Sequence, residues 1–140
     1  MSRLDRDLFA EKAAAIERHL ARVSERLPSA PEELRPMTDA SDVVILHLWQ
    51  AVQSVIDLAI SACVHFHLGG PQSYGEAFQL LAGAGYLPPD LAGRLTRAAG
   101  FRNVVAHEYN ELDMDRVYVA AREGPADLRA FLAALAERIQ

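Results

Sequence analysis

A single cysteine, Cys63, and a single lysine, Lys12, stand in 140 residues. One thiol excludes an internal disulfide framework and any zinc knuckle built on paired CxxC turns. Runs of β-branched residues and period-two alternation are scarce as well, so no strand is expected. The sequence also lacks a phosphate-cradling loop. Gly69-Gly70 leads into Pro71, and Gly83-Ala84-Gly85 follows a helical stretch rather than a strand. Neither a GxSxG elbow nor an HExxH pair occurs. The first eight residues alternate charge without an apolar core, which argues against a secretory leader.

What is abundant points one way. There are 24 alanines and 13 arginines, both strong helix formers, so an all-α chain is expected. Apolar residues make up 51% and the formal charge is −5, the composition of one folded domain spanning residues 1–140. An acidic balance opposes a surface coated for bulk nucleic-acid binding, but it leaves room for a local basic pocket.

Apolar residues at three- and four-residue spacing mark a first helix from Leu4 to Leu27. Pro28, Pro31 and Pro36 then make a connection. Thr38, Asp39 and Ser41 offer caps for a long second helix running to Leu68, where Gly69-Gly70-Pro71 should stop it. Ser73-x-x-Glu76 opens a short helix through Gly83. After Pro88-Pro89 a fourth helix covers Asp90 to His107. A short helix from Asp113 and a last one from Pro125 to Ile139, started by Gly124-Pro125, complete an antiparallel bundle of five or six helices.

The stretch from Val43 to Leu68 is apolar enough to raise the question of a membrane span. It carries His47, Gln50, Gln53, Asp57, His65 and His67, and a carboxylate at mid-span costs about 2.5–3.5 kcal/mol on insertion scales. A core helix in a cytoplasmic protein, away from any membrane, is the expectation. On a helical wheel Gln50, Gln53, Ser54, Asp57 and Ser61 share one arc about 100° wide. That seam is either the solvent face, or the lining of a pocket or a subunit contact in which Asp57 orients a base or pairs with an arginine. Cys63, His65 and His67 are two apart, so only Cys63 and His67 share a helical face, and packing is favoured there over metal binding.

The densest cluster of reactive side chains is Arg94, Arg97 and Phe101-Arg102-Asn103-Val104-Val105-Ala106-His107-Glu108-Tyr109. Arginine supplies a planar donor fork for phosphate, and histidine moves a proton near neutral pH. Asn103 and His107 are four apart and share a face. Arg102 and Tyr109 approach each other if the helix frays after His107. The competing reading is a helix C-terminus whose arginines and histidine satisfy terminal carbonyls and the macrodipole.

Arg102-x-x-x-x-His107-x-Tyr109 resembles the RX4HXY motif of HepT-like toxins in the HEPN superfamily. Leu48 to Asp57 resembles that family's long second helix, Gly70 to Leu81 its linker and third helix, and Asp113 to Val117 the turn that follows the motif. The resemblance covers Val43 to Val119. It implies an all-helical homodimer in which two motif copies face a shared cleft. It further implies a metal-independent ribonuclease, needing no cofactor, that is the toxin of a type II toxin–antitoxin pair. Its partner would be an MNT-type minimal nucleotidyltransferase that neutralises it by moving AMP onto Tyr109. Arg102 and His107 are the implied catalytic residues, with Asn103 and Asp57 in support and Arg94 and Arg97 as phosphate contacts. RNA brings its own nucleophile, the 2′-hydroxyl, so the expected chemistry is a proton relay through His107 with charge stabilisation by Arg102. The alternative is a non-catalytic helical module that dimerises and holds the nucleotidyltransferase.

Overall fold

The computed structural model describes residues 6–139, and residues 1–5 and 140 lie outside it. Five α-helices follow one another: α1 (Arg6–Arg26), α2 (Asp39–His65), α3 (Tyr74–Gly83), α4 (Pro89–Glu108) and α5 (Met114–Ala136). Two single 3-10 turns, Pro31–Glu33 and Tyr109–Glu111, punctuate the connections. The expected start of α1 at Leu4 falls outside the described residues.

Local chemistry sets most helix ends. Thr38 caps α2: its Oγ1 accepts from the Ser41 amide at 3.2 Å, while Ser41 Oγ accepts from the Thr38 amide at 3.0 Å. At the other end α2 stops three residues before the expected Leu68. His67 turns left-handed, at φ 59°, so that its amide reaches the Val64 carbonyl and the Leu68 amide reaches that of Cys63 at 2.8 Å. This is a Schellman closure with histidine in the position that glycine usually takes. The stop therefore comes before Gly69 and does not need it. Ser73 caps α3 through the Glu76 amide, and Glu76 Oε1 accepts from the Gln72 amide at 2.7 Å.

The sixth helix is not there. Gly124-Pro125, read as a helix start, lies inside α5, which runs through it unbroken. Pro125 has no N–H, so one helical bond to the Ala121 carbonyl is missing. Two features offset that loss. Glycine at 124 has no Cβ to meet the proline ring, which relieves the usual restriction on the preceding residue. Buried residues also lie on both sides of the proline, with Val117, Tyr118 and Ala121 before it and Leu128, Phe131, Leu132 and Leu135 after it.

α2 is the axis of the bundle, and α1, α3, α4 and α5 all pack on it. It is long and apolar enough to cross a membrane by length and composition, yet Val44, Ile45, Leu48, Val52, Val55, Ile56 and Leu58 are all spent on packing against its neighbours. One core cluster joins α1 (Ile16, Leu20), α2 (Ile56, Leu58), α3 (Phe78, Leu81) and α5 (Phe131, Leu135), with Phe78 and Phe131 edge to face at 5.8 Å. A second cluster of Val23, Val44, Ile45, Leu48, Val105, Val117 and Tyr118 lies under the C-terminal end of α4. Tyr118 also ties α5 to the end of α1 by donating to the Pro28 carbonyl at 3.0 Å. α3 and α4 approach so closely at Gly75 that a Cβ there would stand 2.8 Å from Thr96 Cγ2.

His19 of α1 and His47 of α2 meet Nδ1 to Nδ1 at 2.9 Å. Burial lowers both below the ordinary histidine value of 6.5, with further lowering from His47 and Arg18 on His19 and from Arg22 on His47. Groups that are less basic folded than unfolded bind fewer protons in the native state, so stability rises with pH across the interval between the two values. Their contribution is full above pH 6.5 and is lost as pH falls below it. Urea midpoints of the wild type should therefore fall between pH 7.5 and 5.5, and His47→Gln should flatten that part of the profile.

Candidate functional site

The sequence cluster falls on the last two turns of α4 and on the 3-10 turn that follows. Phe101 and Val105 face inward onto the second core cluster, which fixes the rotation of this segment. That rotation turns Arg102 toward α2 and α3. Its Nε donates to Gln53 Oε1 at 2.7 Å, and Gln53 Nε2 donates to Asp57 Oδ1 at 3.0 Å. Asp57 Oδ2 lies 3.8 Å from Lys12 Nζ on α1. The Arg102 guanidinium also sits over two rings, 5.4 Å from the centroid of Trp49 and 5.3 Å from that of Tyr74. Arg102 Nη1 donates to Asn103 Oδ1 at 3.2 Å. One arginine is thus held by side chains from α2, α3 and α4, and Nη2 is left without a protein partner among the described residues.

Of the two readings open for the polar seam of α2, its Gln53–Asp57 part lines this site. Asp57 meets the arginine through Gln53 and not directly. Gln53 was legible only as a member of the seam, because its partner lies 49 residues away.

Tyr109 does not join Arg102. Its hydroxyl donates to Asp42 Oδ1 in the first turn of α2 at 2.5 Å. Burial, then the hydrogen bond to Asp42 and its negative charge, push the phenol up to about 12. Arg102 meets α2 at residue 53 and Tyr109 meets it at residue 42, so α4 runs antiparallel to α2. The two contacts are about 16 Å apart at the helical rise. Asp42 escaped the sequence reading, since only its place in the first turn of a helix marked it.

The His107 side chain is exposed and forms no hydrogen bond, ion pair or ring contact among the described residues. Five residues from Arg102 on one helix, it is rotated by about 140° from it. Arg94 and Arg97 point elsewhere, into a groove of about 960 Å³ between α4 and α5 that Arg102 does not line. Arg94 is already paired there, with Asp127 at 2.9 Å and Asp90 at 3.5 Å. Cys63 is buried, donates to the Ala77 carbonyl at 3.4 Å and is pushed up by burial, which makes it a packing thiol.

A five-helix bundle that carries Arg-x4-His-x-Tyr at the end of its fourth helix, with the arginine clamped onto the second, defines a HEPN-type helical protein. The family model described as "Ribonuclease HepT-like" matches residues 12–135, and the chain belongs to the HepT-like ribonuclease family. It is 29% identical over 126 residues to the mRNA nuclease HepT of Shewanella oneidensis, covering 90% of this chain and 94% of that protein. It is 30% identical over 121 residues to a putative RNase of Archaeoglobus fulgidus, covering 83% and 89%. In three dimensions it matches the tri-AMPylated Shewanella oneidensis HEPN toxin, solved in complex with the MNT antitoxin, with a TM-score of 0.87. That match has 28% identity and covers 95% of this chain and 99% of the toxin.

Proposed function

We propose that this chain, one helical domain over residues 1–140, is the toxin of a type II toxin–antitoxin pair in the cytoplasm. In this reading it is a homodimeric, metal-independent ribonuclease. An MNT-type nucleotidyltransferase restrains it by transferring AMP to Tyr109. The observation that carries the reading is the clamped Arg102, set on rings suited to stacking and followed on the same helix by an unencumbered His107.

The chemistry follows from those groups. A phosphate of RNA meets Arg102, whose fork offers Nη2 while Gln53 and Asn103 hold the rest of the guanidinium still. Trp49 and Tyr74 give an adjacent base a surface to stack on. The 2′-hydroxyl attacks the phosphorus and its proton passes to one His107, while a protonated His107 gives a proton to the 5′-oxygen as the P–O5′ bond breaks, leaving a 2′,3′-cyclic phosphate. One histidine rotated away from its own Arg102 serves this poorly. Two copies face to face bring two histidines and two arginines around one phosphate. Asn103 supports the arginine, and Asp57 holds Gln53 in register. Arg97 adds attraction for the RNA backbone, whereas Arg94 would first have to leave Asp127.

Cleavage of RNA by purified protein in excess EDTA tests this reading. The wild type should cut, and Arg102→Lys, which keeps the charge but loses the planar fork, should cut about 10²-fold more slowly. A wild type that is inactive in EDTA, or a lysine variant as fast as the wild type, would overturn it.

A further inference from the structure

We infer that Asp42 is the positioning residue and proton acceptor for nucleotide transfer to Tyr109, an inference that rests on the AMP transfer proposed above. The chain has four tyrosines, and among the described residues only the Tyr109 hydroxyl is bonded to a carboxylate. The Tyr118 hydroxyl donates to the Pro28 carbonyl, the Tyr74 ring lies beneath Arg102, and the Tyr86 ring is stacked on Phe66 at 4.0 Å. Tyr109 is 37% exposed and Asp42 is exposed, so a nucleotide held by a partner protein can reach the pair. The contact spans 67 residues and joins the start of α2 to the turn after α4. It aims one particular phenol and sets a base on its proton.

The transfer needs such a base. With Tyr109 pushed up to about 12, only about one molecule in 10⁵ carries the phenolate at pH 7, so the proton must leave during attack. The Tyr109 oxygen forms a bond to the α-phosphorus of a nucleoside triphosphate. The bond from that phosphorus to the bridging oxygen breaks, and pyrophosphate departs with the electron pair. The phenolic proton passes to Asp42 and from there to water. The product has no hydroxyl left to donate, and its phosphodiester charge faces the Asp42 carboxylate. The tie to α2 is therefore broken by the reaction that it promotes.

Asp42→Asn separates this role from a structural one. An amide oxygen still accepts the phenol's hydrogen bond but cannot take its proton. With the MNT-type partner, magnesium and ATP labelled at the α-phosphate, Asp42→Asn should leave KM for ATP unchanged and lower kcat about 10²-fold. Asp42→Glu should recover most of the rate, and Tyr109→Phe should take no label. A wild-type kcat in Asp42→Asn overturns the inference. Label on Tyr109→Phe at the wild-type level overturns both the proposed modification site and the inference.

A measurement without the partner judges Asp42 independently of AMP transfer. N-acetylimidazole acetylates phenols, with imidazole leaving, and mass spectrometry reports each tyrosine. If Asp42 takes the proton, Asp42→Asn slows acetylation of Tyr109 several-fold relative to Tyr74 and Tyr86. If the bond only anchors the ring, removing the carboxylate makes the phenol more acidic and acetylation speeds up, which overturns the inference. Slowed acetylation in a protein that its partner never labels would uphold Asp42 as the base and reject AMP transfer.

Discussion

His107→Ala is expected to leave a folded protein that no longer cuts RNA efficiently, with the rate in EDTA down about 10²–10⁴-fold if the proposed proton relay holds. The size of the loss is that of a proton-transfer group removed from a transition state. The absence of a folding defect follows from the surroundings of the side chain. The His107 side chain is exposed and makes no hydrogen bond, ion pair or ring contact among the described residues, so its truncation is expected to change stability by about 0.5 kcal/mol or less. Cleavage assays run beside a circular-dichroism melt check both halves. An unchanged rate removes His107 from the chemistry. A lost rate together with a lowered melting temperature assigns it to the fold instead.

Phe131→Ala is expected to do the opposite, costing about 3–5 kcal/mol of stability while leaving the chemistry of the folded fraction intact. Phe131 is fully buried and meets Phe78 edge to face, so its ring joins α5 to α3 inside the larger core cluster. Few atoms are free to collapse into the space it would vacate, because α1, α2, α3 and α5 all contribute to that cluster. Against a total of about 5–15 kcal/mol for a domain, this is a large share. Urea titration should show the midpoint falling without a change in slope. RNA cleavage at low temperature, corrected for the folded fraction, should match the wild type.

These two residues differ in how plainly the sequence announced them. The helices were legible because Ile16, Leu20 and Val23 recur at helical spacing and because Thr38, Ser73 and Pro89 are good openers for α2, α3 and α4. The motif at the end of α4 was legible as a string, and its resemblance placed the family correctly. Two boundaries were not. Gly124-Pro125 carries the usual signature of a helix start, and burial on both sides of it, which the string does not show, helps to keep α5 whole. His67 closes α2 in a conformation that favours glycine, and the nearby Gly69-Gly70 drew attention away from it. The cross-helix contacts were the least visible. Periodicity pairs residues three or four apart, whereas Arg102 with Gln53 and Tyr109 with Asp42 are set by how α4 lies along α2. The seam on α2 showed that Gln53 and Asp57 share a face, but it could not show which helix would meet them.

The closeness of α3 to α4 at Gly75 reaches further than the packing of two helices. Thr96 cannot simply swing away from a larger residue there. Its hydroxyl is bonded to the Ala92 carbonyl at 2.8 Å and to Gln79 Nε2 at 3.2 Å, which fixes the methyl group toward α3. Any added carbon at 75 would therefore act as a wedge, tilting the start of α3 outward. Tyr74 is the neighbouring residue, and it would carry its ring off the Arg102 guanidinium. The residue with no side chain is in this sense a spacer gauge for Tyr74 and Arg102, the pair proposed above to meet RNA. The spacing between the Tyr74 ring and the Arg102 cation is set by what is missing one position along the chain.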